Sequence, residues 1–274
     1  MNSFSLENNS SWHRVDGYLY ANKNDVTLSF AGSILPDVEE EGTGLRTGVV
    51  YLSYADEPGG YDLPFRGWNL VGNPFTFKAY VDRSYYKMNE TGTAITAVSD
   101  ITNPENRINP CTGIMVEASE EDECITFSRD LSKQRRERGN LNIVLSQAEV
   151  FDNAVIDNAI ISFNEGAQLS KFYLDNSKAN IFIPQNDKDY AVACSEGKGE
   201  MLLNFVTKEN GSYTLSFNSD KVRFDYLHLI DNITGLDIDL LQTPSYTFKA
   251  SMTDSKSRFK LVFVGSEKMF DGQQ

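Results

Sequence analysis

Apolar and polar residues alternate along most of this chain, in the pattern that is typical of β-strands. The alternation is clearest at residues 26–30, 213–217 and 259–263, where valine, leucine, tyrosine or phenylalanine occupies every second position. Side chains of a strand point alternately to its two faces, so each segment can bury one face and leave the other in water. Apolar residues at helical spacing are scarce. The pattern predicts an all-β protein.

The strand near the end of the chain allows a prediction residue by residue. Phe259, Leu261 and Phe263 would lie on one face and contribute to a core. Arg258 and Lys260 would lie on the opposite face. Because charged side chains are rarely buried, we expect that second face to be in contact with water.

Turn-forming residues separate the predicted strands, and one such boundary follows Trp68. Trp68 lies in an apolar segment, residues 67–75, which also contains Gly72, Asn73 and Pro74. A large aromatic side chain favours a core, and glycine allows another backbone to approach closely. We interpret this segment as a strand that enters a β-sandwich core and turns back out.

A second turn signal is the dipeptide Asn210-Gly211. It separates apolar segments at residues 201–208 and 213–217. Asn-Gly readily adopts the positive φ angles of a two-residue hairpin turn. We therefore predict that the two flanking strands pair with each other as a hairpin.

The spacing of strands and turns also predicts the domain organisation. Many short strands with glycine, asparagine and proline between them are typical of antiparallel sandwiches and barrels. Residues 130–138 are helix-prone but polar all round, and Gly139 closes them, as is typical of a linker. We predict two tandem antiparallel β-sandwich domains, jelly-roll-like or immunoglobulin-like, at residues 1–130 and 141–274, joined by a polar linker at 131–140.

Composition restricts the class of partner. The 274 residues carry a net charge of −14, which repels phosphate groups and argues against nucleic acid as a partner. No run of about 18 apolar residues is present, so we predict no membrane-spanning segment. Cys111, Cys124 and Cys194 lack the spacing of a zinc site, and no cofactor motif occurs elsewhere. We therefore expect no cofactor and no metal.

Few residues suggest catalysis. His13 and His228 are the two histidines, and His228 would lie in a strand on the same face as Tyr226. Neither belongs to a recognisable hydrolase, metalloprotease or nucleotide-binding motif, so we predict no catalytic residues and no enzyme. Asp237 and Asp239 would share one strand face, where they could contact calcium or a sugar or simply face water.

Exposed tyrosines are the strongest candidates for binding. The chain has 13 tyrosines, and we predict Tyr18, Tyr20, Tyr51 and Tyr54 as ligand contacts. Tyrosine combines an apolar ring with a polar tip and suits an interface with a sugar or a protein. Cross-strand packing within the sheets is the alternative role of these rings.

Several segments resemble a family of Bacteroidales surface proteins. They are GYLYAN at residues 17–22, VTLSFAG at 26–32, GWNLVGNPF at 67–75, LIDNITG at 229–235, DIDLL at 237–241, YTFKA at 246–250 and SRFKLVF at 257–263. The resemblance covers residues 16–263. It implies the C-terminal β-rich part of a larger secreted or outer-membrane-associated protein, and it transfers no catalytic residues.

From these observations we expect a non-enzymatic module of the cell surface that spaces, displays or adheres, with a glycan or a protein as ligand. We expect the chain to be a fragment of a longer exported protein. One alternative is an accessory carbohydrate-binding module or a cryptic hydrolase of a carbohydrate-active system. Another alternative is a pilus-like subunit that self-associates through an unpaired sheet edge.

Overall fold

The computed structural model describes most of the chain from residue 38 to residue 266. The described residues are 38–39, 46–54, 66–89, 92, 94–131, 139–148, 155–174 and 178–266. They form strands, turns and one short 3₁₀ helix, with no α-helix among them. The prediction of an all-β protein is confirmed. No helix within these ranges is long and apolar enough to cross a membrane.

The described part of the chain contains 19 strands. In chain order they are β1 (Val38–Glu39), β2 (Arg46–Tyr51), β3 (Trp68–Gly72), β4 (Tyr80–Val81), β5 (Tyr85–Met88), β6 (Ile95–Val98), β7 (Gly113–Glu117), β8 (Cys124–Ser128), β9 (Asn140–Gln147), β10 (Val155–Ser162), β11 (Leu169–Ser170), β12 (Asn180–Gln185), β13 (Lys188–Cys194), β14 (Lys198–Val206), β15 (Gly211–Asp220), β16 (Phe224–Asp231), β17 (Leu236–Asp239), β18 (Ser245–Ala250) and β19 (Phe259–Gly265). The 3₁₀ helix is Pro104–Asn106.

The chain divides into two compact units, whose boundaries differ from the predicted domains. The first unit comprises Met1–Val81 with Arg107–Asp130, and the second comprises Asp82–Asn106 with Leu131–Gln274. The sequence pattern predicted residues 82–106 to be part of the first domain. In the structure this segment belongs to the second unit, because its side chains and backbone bond to β10 and β11. Most of the predicted linker, residues 132–138, lies outside the described residues.

The first unit contains a small antiparallel sheet and a strand pair. The sheet has the order β1-β2-β8-β4, and β3 pairs antiparallel with β7. Alternate residues point inward: Val50 on β2, Ile125 and Phe127 on β8, and Ile114 and Val116 on β7 are buried. Burial of alternate residues is the arrangement that an alternating sequence pattern predicts.

The turn after β3 depends on a buried asparagine. β3 runs from Trp68, which is half-buried, to Gly72. The side-chain nitrogen Nδ2 of Asn73 donates to the carbonyl of Ile108 at 2.8 Å, and the side-chain oxygen accepts from the Phe75 amide at 3.0 Å. Asparagine side chains favour turns because they can replace backbone hydrogen bonds in this way.

One large sheet dominates the second unit. Its strand order is β17-β16-β19-β14-β12-β13-β10-β9-β15-β18, and β11 pairs with β13. Neighbours are antiparallel except β10 and β13, which are parallel. The outermost strands, β17 and β18, follow each other in the chain, so the sheet winds nearly into a barrel. The finer prediction of two tandem sandwiches is not confirmed, since the second unit is built on one nearly barrel-shaped sheet.

The core of the second unit is aliphatic and aromatic. Phe205 lies among three other rings, those of Tyr213, Phe248 and Phe259, at centroid distances of 5.2, 5.1 and 6.4 Å. Edge-to-face contacts of this kind add to the free energy gained from burial alone. Strands from β9 to β19 contribute to this cluster.

The predicted hairpin at Asn210-Gly211 is wrong. β14 pairs with β12 and β19, whereas β15 pairs with β9 and β18. Gly211 does not adopt the positive φ that the predicted turn requires. The connection is instead fixed by Thr207, whose hydroxyl lies 2.8 Å from the hydroxyl of buried Tyr213. The turn preference of two residues was outweighed by the position of Tyr213 in the core.

The last strand confirms half of its prediction. Phe259, Leu261 and Phe263 are buried on the core side of β19. Lys260 lies on the other side, in an ion pair with Glu200 at 3.0 Å. The prediction for Arg258 is wrong, because Arg258 immediately precedes β19 and its side chain is buried among ionised and aromatic partners.

Candidate functional site

The outer face of β16 carries the most distinctive group of exposed side chains in the second unit. Leu227 and Leu229 are buried in the core, whereas Tyr226, His228 and Ile230 point the other way. The alternation in the sequence therefore placed Tyr226 and His228 correctly on one face. A strand gives such a pair a fixed spacing, because both residues lie on a backbone that is paired with β19.

Tyr226 and His228 form a stacked pair of rings. Their centroids lie 4.0 Å apart and the ring planes differ by 5°. The imidazole covers one side of the phenol ring, and Tyr226 as a residue remains 39% exposed. A stacked aromatic ring of this kind presents a flat apolar surface whose orientation is fixed before any ligand arrives.

A carboxylate from the neighbouring strand completes the group. β16 and β17 form a hairpin in which His228 is opposite Asp239 and Ile230 is opposite Asp237. Asp237 reaches diagonally across the pair, and its Oδ1 lies 2.7 Å from Nδ1 of His228. A carboxylate oxygen can only accept, so this contact keeps the proton on Nδ1 and leaves the second nitrogen of a neutral ring as an acceptor.

Asp239 has a different role from Asp237. Its Oδ1 accepts a hydrogen bond from the amide of Leu241 at 2.9 Å, which closes the turn after β17. The two carboxylates therefore do not act as one cation site. Within the described ranges, no three histidine, cysteine or acidic residues are arranged to hold a metal ion.

Apolar residues extend the surface beside the two rings. On β19, Val264 is opposite Tyr226 and Val262 is opposite His228. Val264 is exposed and Val262 is partly so. We call Tyr226, His228, Asp237, Val262 and Val264 the β16 face. This face combines an aromatic ring, a carboxylate and a small apolar area on three paired strands.

The four tyrosines predicted from the sequence are only partly described. Tyr18 and Tyr20 lie outside the described residues. Tyr51, on β2 of the first unit, is 76% exposed. Tyr54 is half-buried, and the guanidinium of Arg66 lies 4.5 Å above its ring. A role of these tyrosines in binding stays a prediction.

The three cysteines and His13 are the remaining candidates from the sequence, and those that the structure describes share no site. None of the three cysteines, all of which are described, forms a disulfide. The thiol of Cys194 contacts the carbonyl of Asn164 at 3.2 Å, and burial raises its pKa, so the reactive thiolate is disfavoured. His13 lies outside the described residues.

Comparison with known proteins adds no further constraint on the β16 face. No protein-family model, curated protein or solved structure matches this chain. The candidate site is therefore defined by its own geometry alone.

The sequence pattern predicted the parts of this site but not their combination. Alternation placed His228 and Tyr226 on one face and Asp237 on another strand, without joining them. The sequence signal that could have joined them is the turn-forming segment at residues 231–235, which ends in a glycine. In the structure Gly235 has a φ of 72°. A tight turn there predicts a β16–β17 hairpin, and the hairpin register then brings Asp237 to His228.

Proposed function

We propose that this chain is a non-enzymatic binding module of a cell-surface protein, and that its ligand is a carbohydrate that contacts the β16 face. The observation that carries the proposal is the stacked pair Tyr226–His228 with Asp237 bonded to the imidazole. The pair supplies an ordered ring beside hydrogen-bonding groups on paired strands.

The chemistry of the β16 face favours a sugar over a purely apolar ligand. A pyranose has one face of C–H groups, which packs on an aromatic ring, and a rim of hydroxyl groups. The Asp237 carboxylate can accept hydrogen bonds from those hydroxyls, and a ring nitrogen of His228 can do so as well. Because Tyr226 is already fixed by stacking, binding costs little side-chain entropy.

Two further features support the proposal. The resemblance to Bacteroidales surface proteins implies an exported β-rich module. The net charge of −14 favours solubility and suits contact with neutral or basic partners better than with anionic ones.

Glycan binding of the purified chain tests the proposal. The labelled protein would be applied to an array of plant, host and bacterial glycans, and hits would be measured by calorimetry. We expect Tyr226→Ala to weaken binding about tenfold, which corresponds to about 1.4 kcal/mol. Asp237→Asn should weaken binding as well, because the amide orients the imidazole less strongly than the carboxylate does.

Tyr51→Ala is the matched control, since it removes an exposed tyrosine from the other unit. It should leave the affinity unchanged while circular dichroism shows that all variants are folded. A blank array for the wild-type chain would contradict the proposal. Binding that survives Tyr226→Ala but disappears with Tyr51→Ala would place the ligand at the tyrosines of the first unit instead.

A further inference from the structure

Lys171 and Asp157 form a buried ion pair inside the second unit. The Lys171 Nζ lies 2.6 Å from Oδ1 and 2.5 Å from Oδ2 of Asp157. The two side chains are 1% and 6% exposed. Such burial is costly for a lysine and a carboxylate, because both lose their hydration.

The backbone on both sides holds the two groups in place. Asp157 lies on β10 beside an irregularity in its pairing with β9. The amide of Ile181, on β12, donates to Asp157 Oδ2 at 2.8 Å. Lys171 directly follows β11, and its own amide donates to the carbonyl of Asp189 at 2.8 Å. Three strands thus fix the relative position of the amine and the carboxyl group.

Burial also shifts the pKa of each group in the direction that favours its neutral form. It raises the pKa of Asp157, although Lys171 and the Ile181 amide oppose the shift. It lowers the pKa of Lys171 against the attraction of Asp157. Both changes favour transfer of one proton from the ammonium to the carboxylate. Such a transfer would leave a neutral amine, which is a nucleophile, next to a neutral carboxylic acid.

We propose that Lys171 and Asp157 join covalently, with an amide bond between Lys171 Nζ and Asp157 Cγ. The amine lone pair attacks Cγ, and the electrons of the C=O bond move to Oδ2. A second proton passes from nitrogen to Oδ1, the Cγ–Oδ1 bond breaks, and one water molecule leaves. The C=O bond to Oδ2 re-forms, so the step needs no oxidant or other reactant.

The geometry suits this reaction. A nitrogen that close to both carboxyl oxygens lies about 3 Å from Cγ, within the range of near-attack contacts. A displacement of the Lys171 amine out of the plane of the carboxyl group then brings the nitrogen over the face of Cγ. The Ile181 amide already donates to Oδ2, the atom on which negative charge develops, and so stabilises the intermediate.

A bond at this position would link β10 to the segment after β11, 14 residues further along the chain. It would constrain the unfolded chain in the way that a disulfide does, without requiring cysteine or an oxidising environment. This inference does not depend on ligand binding at the β16 face.

The mass of the intact, denatured chain tests the proposal. We expect the recombinant wild-type chain to be lighter than its sequence by one water molecule. A protease that cleaves after glutamate cuts at Glu165, between the two residues. The peptides that contain Asp157 and Lys171 should remain joined after this cut. A wild-type chain of full mass whose two peptides separate would overturn the proposal.

Two variants distinguish this bond from other losses of water. Lys171→Met and Asp157→Ala should each have the full mass of their sequence, and denatured protein suffices even where a variant folds poorly. Lys260→Met, which removes a lysine from an exposed ion pair, should keep the lower mass. A lower mass that persists in Lys171→Met would show that the water is lost elsewhere, and the proposal would fail.

Discussion

The guanidinium of Arg258 and the carboxylate of Asp231 form a two-point ion pair inside the second unit, 27 residues apart in the chain. Nε lies 3.1 Å from Oδ1 and one terminal nitrogen lies 2.8 Å from Oδ2. The other terminal nitrogen donates to Asp254 at 2.9 Å, and the guanidinium carbon lies 4.5 Å from the ring centroid of Phe248. The pair therefore connects the last residue of β16 to the residue that precedes β19.

Removing the arginine should destabilise the second unit strongly. Arg258→Met keeps much of the apolar volume but leaves the buried Asp231 charge without its main partner, and such losses cost about 3–5 kcal/mol. Lys260→Met, two residues further on, breaks an exposed pair and should cost about 0.2–1 kcal/mol. Urea denaturation at neutral pH measures both. A cost for Arg258→Met no larger than that of the control would contradict a structural role for the pair.

The same pair should give the chain a stability that depends on pH. Burial opposes ionisation of Asp231, but hydrogen bonds from Arg258, the Ile233 amide and Tyr246 together lower its pKa. A carboxyl group with a lowered folded pKa adds stability above its ordinary pKa and loses it as the pH falls through the lowered value. Arg258→Met should therefore differ most from the wild type at neutral pH and approach it in acid.

A second carboxyl group should act in the opposite direction. Burial and the neighbouring Asp100 raise the pKa of Asp220. Asp100 itself accepts from the Thr102 amide at 3.2 Å and from Lys221 at 3.0 Å, which favours its charged form. The folded chain thus binds a proton at Asp220 more tightly than the unfolded chain does. Its contribution to stability is present at low pH and is lost as the pH rises through the raised value.

Asp220→Asn should consequently raise the melting temperature at pH 7, because the amide needs no proton to donate to Asp100. The gain should disappear below about pH 4, the ordinary range of an aspartate pKa. Asp225→Asn removes an exposed carboxylate and controls for the change in net charge. Melting curves from pH 3 to pH 8 would show the effect. A lower melting temperature for Asp220→Asn at pH 7 would refute this account.

The sequence predicted the elements of this fold better than their partners. Alternation identified β19 and the inward positions of Phe259 and Phe263, because burial of one strand face is a local property. It could not locate Arg258, whose burial depends on a carboxylate 27 residues away. Rules based on charge alone assign such a residue to the surface.

Pairing between strands was the second property that the sequence could not give. The Asn210-Gly211 turn predicted a hairpin from a two-residue preference. The pairing of β15 with β9 and β18 depends instead on where Leu215 and Phe217 are buried. The β16 face was predictable as far as the alternation of Tyr226 and His228, whereas the contact with Asp237 required the register of a neighbouring strand.

Residues 82–106 should depend on β10 for their order. The Asn158 side chain pairs with the backbone of Ala97 as a strand would, accepting from its amide at 2.7 Å and donating to its carbonyl at 2.9 Å. Asn158→Asp replaces the donor with an acceptor that faces the Ala97 carbonyl. Loss of a buried hydrogen bond of this kind costs about 1–3 kcal/mol.

Hydrogen exchange gives a local measurement of this effect. The Ala97 amide should exchange faster in Asn158→Asp, together with its neighbours on β6. Asn218→Asp introduces the same change at an exposed position of β15 and should leave exchange at Ala97 unaltered. Equal protection of Ala97 in the wild type and in Asn158→Asp would mean that this segment is held by other contacts.

A side chain at Gly67 should destabilise the first unit through both a steric collision and backbone strain, whereas one at Gly235 should add backbone strain alone. Gly67 has a φ of 78°, and a Cβ atom there would lie 2.2 Å from the carbonyl oxygen of Ala118. Gly235 has a similar φ of 72° with no atom within 4 Å of the same position. Alanine at Gly235 therefore adds only the strain of the left-handed conformation, about 1–2 kcal/mol.

Gly67→Ala must also displace the backbone of Ala118, whose amide donates to the Gly67 carbonyl at 2.7 Å. Urea denaturation should show a clearly larger loss for Gly67→Ala than for Gly235→Ala, and equal losses would show that the collision is relieved at no cost.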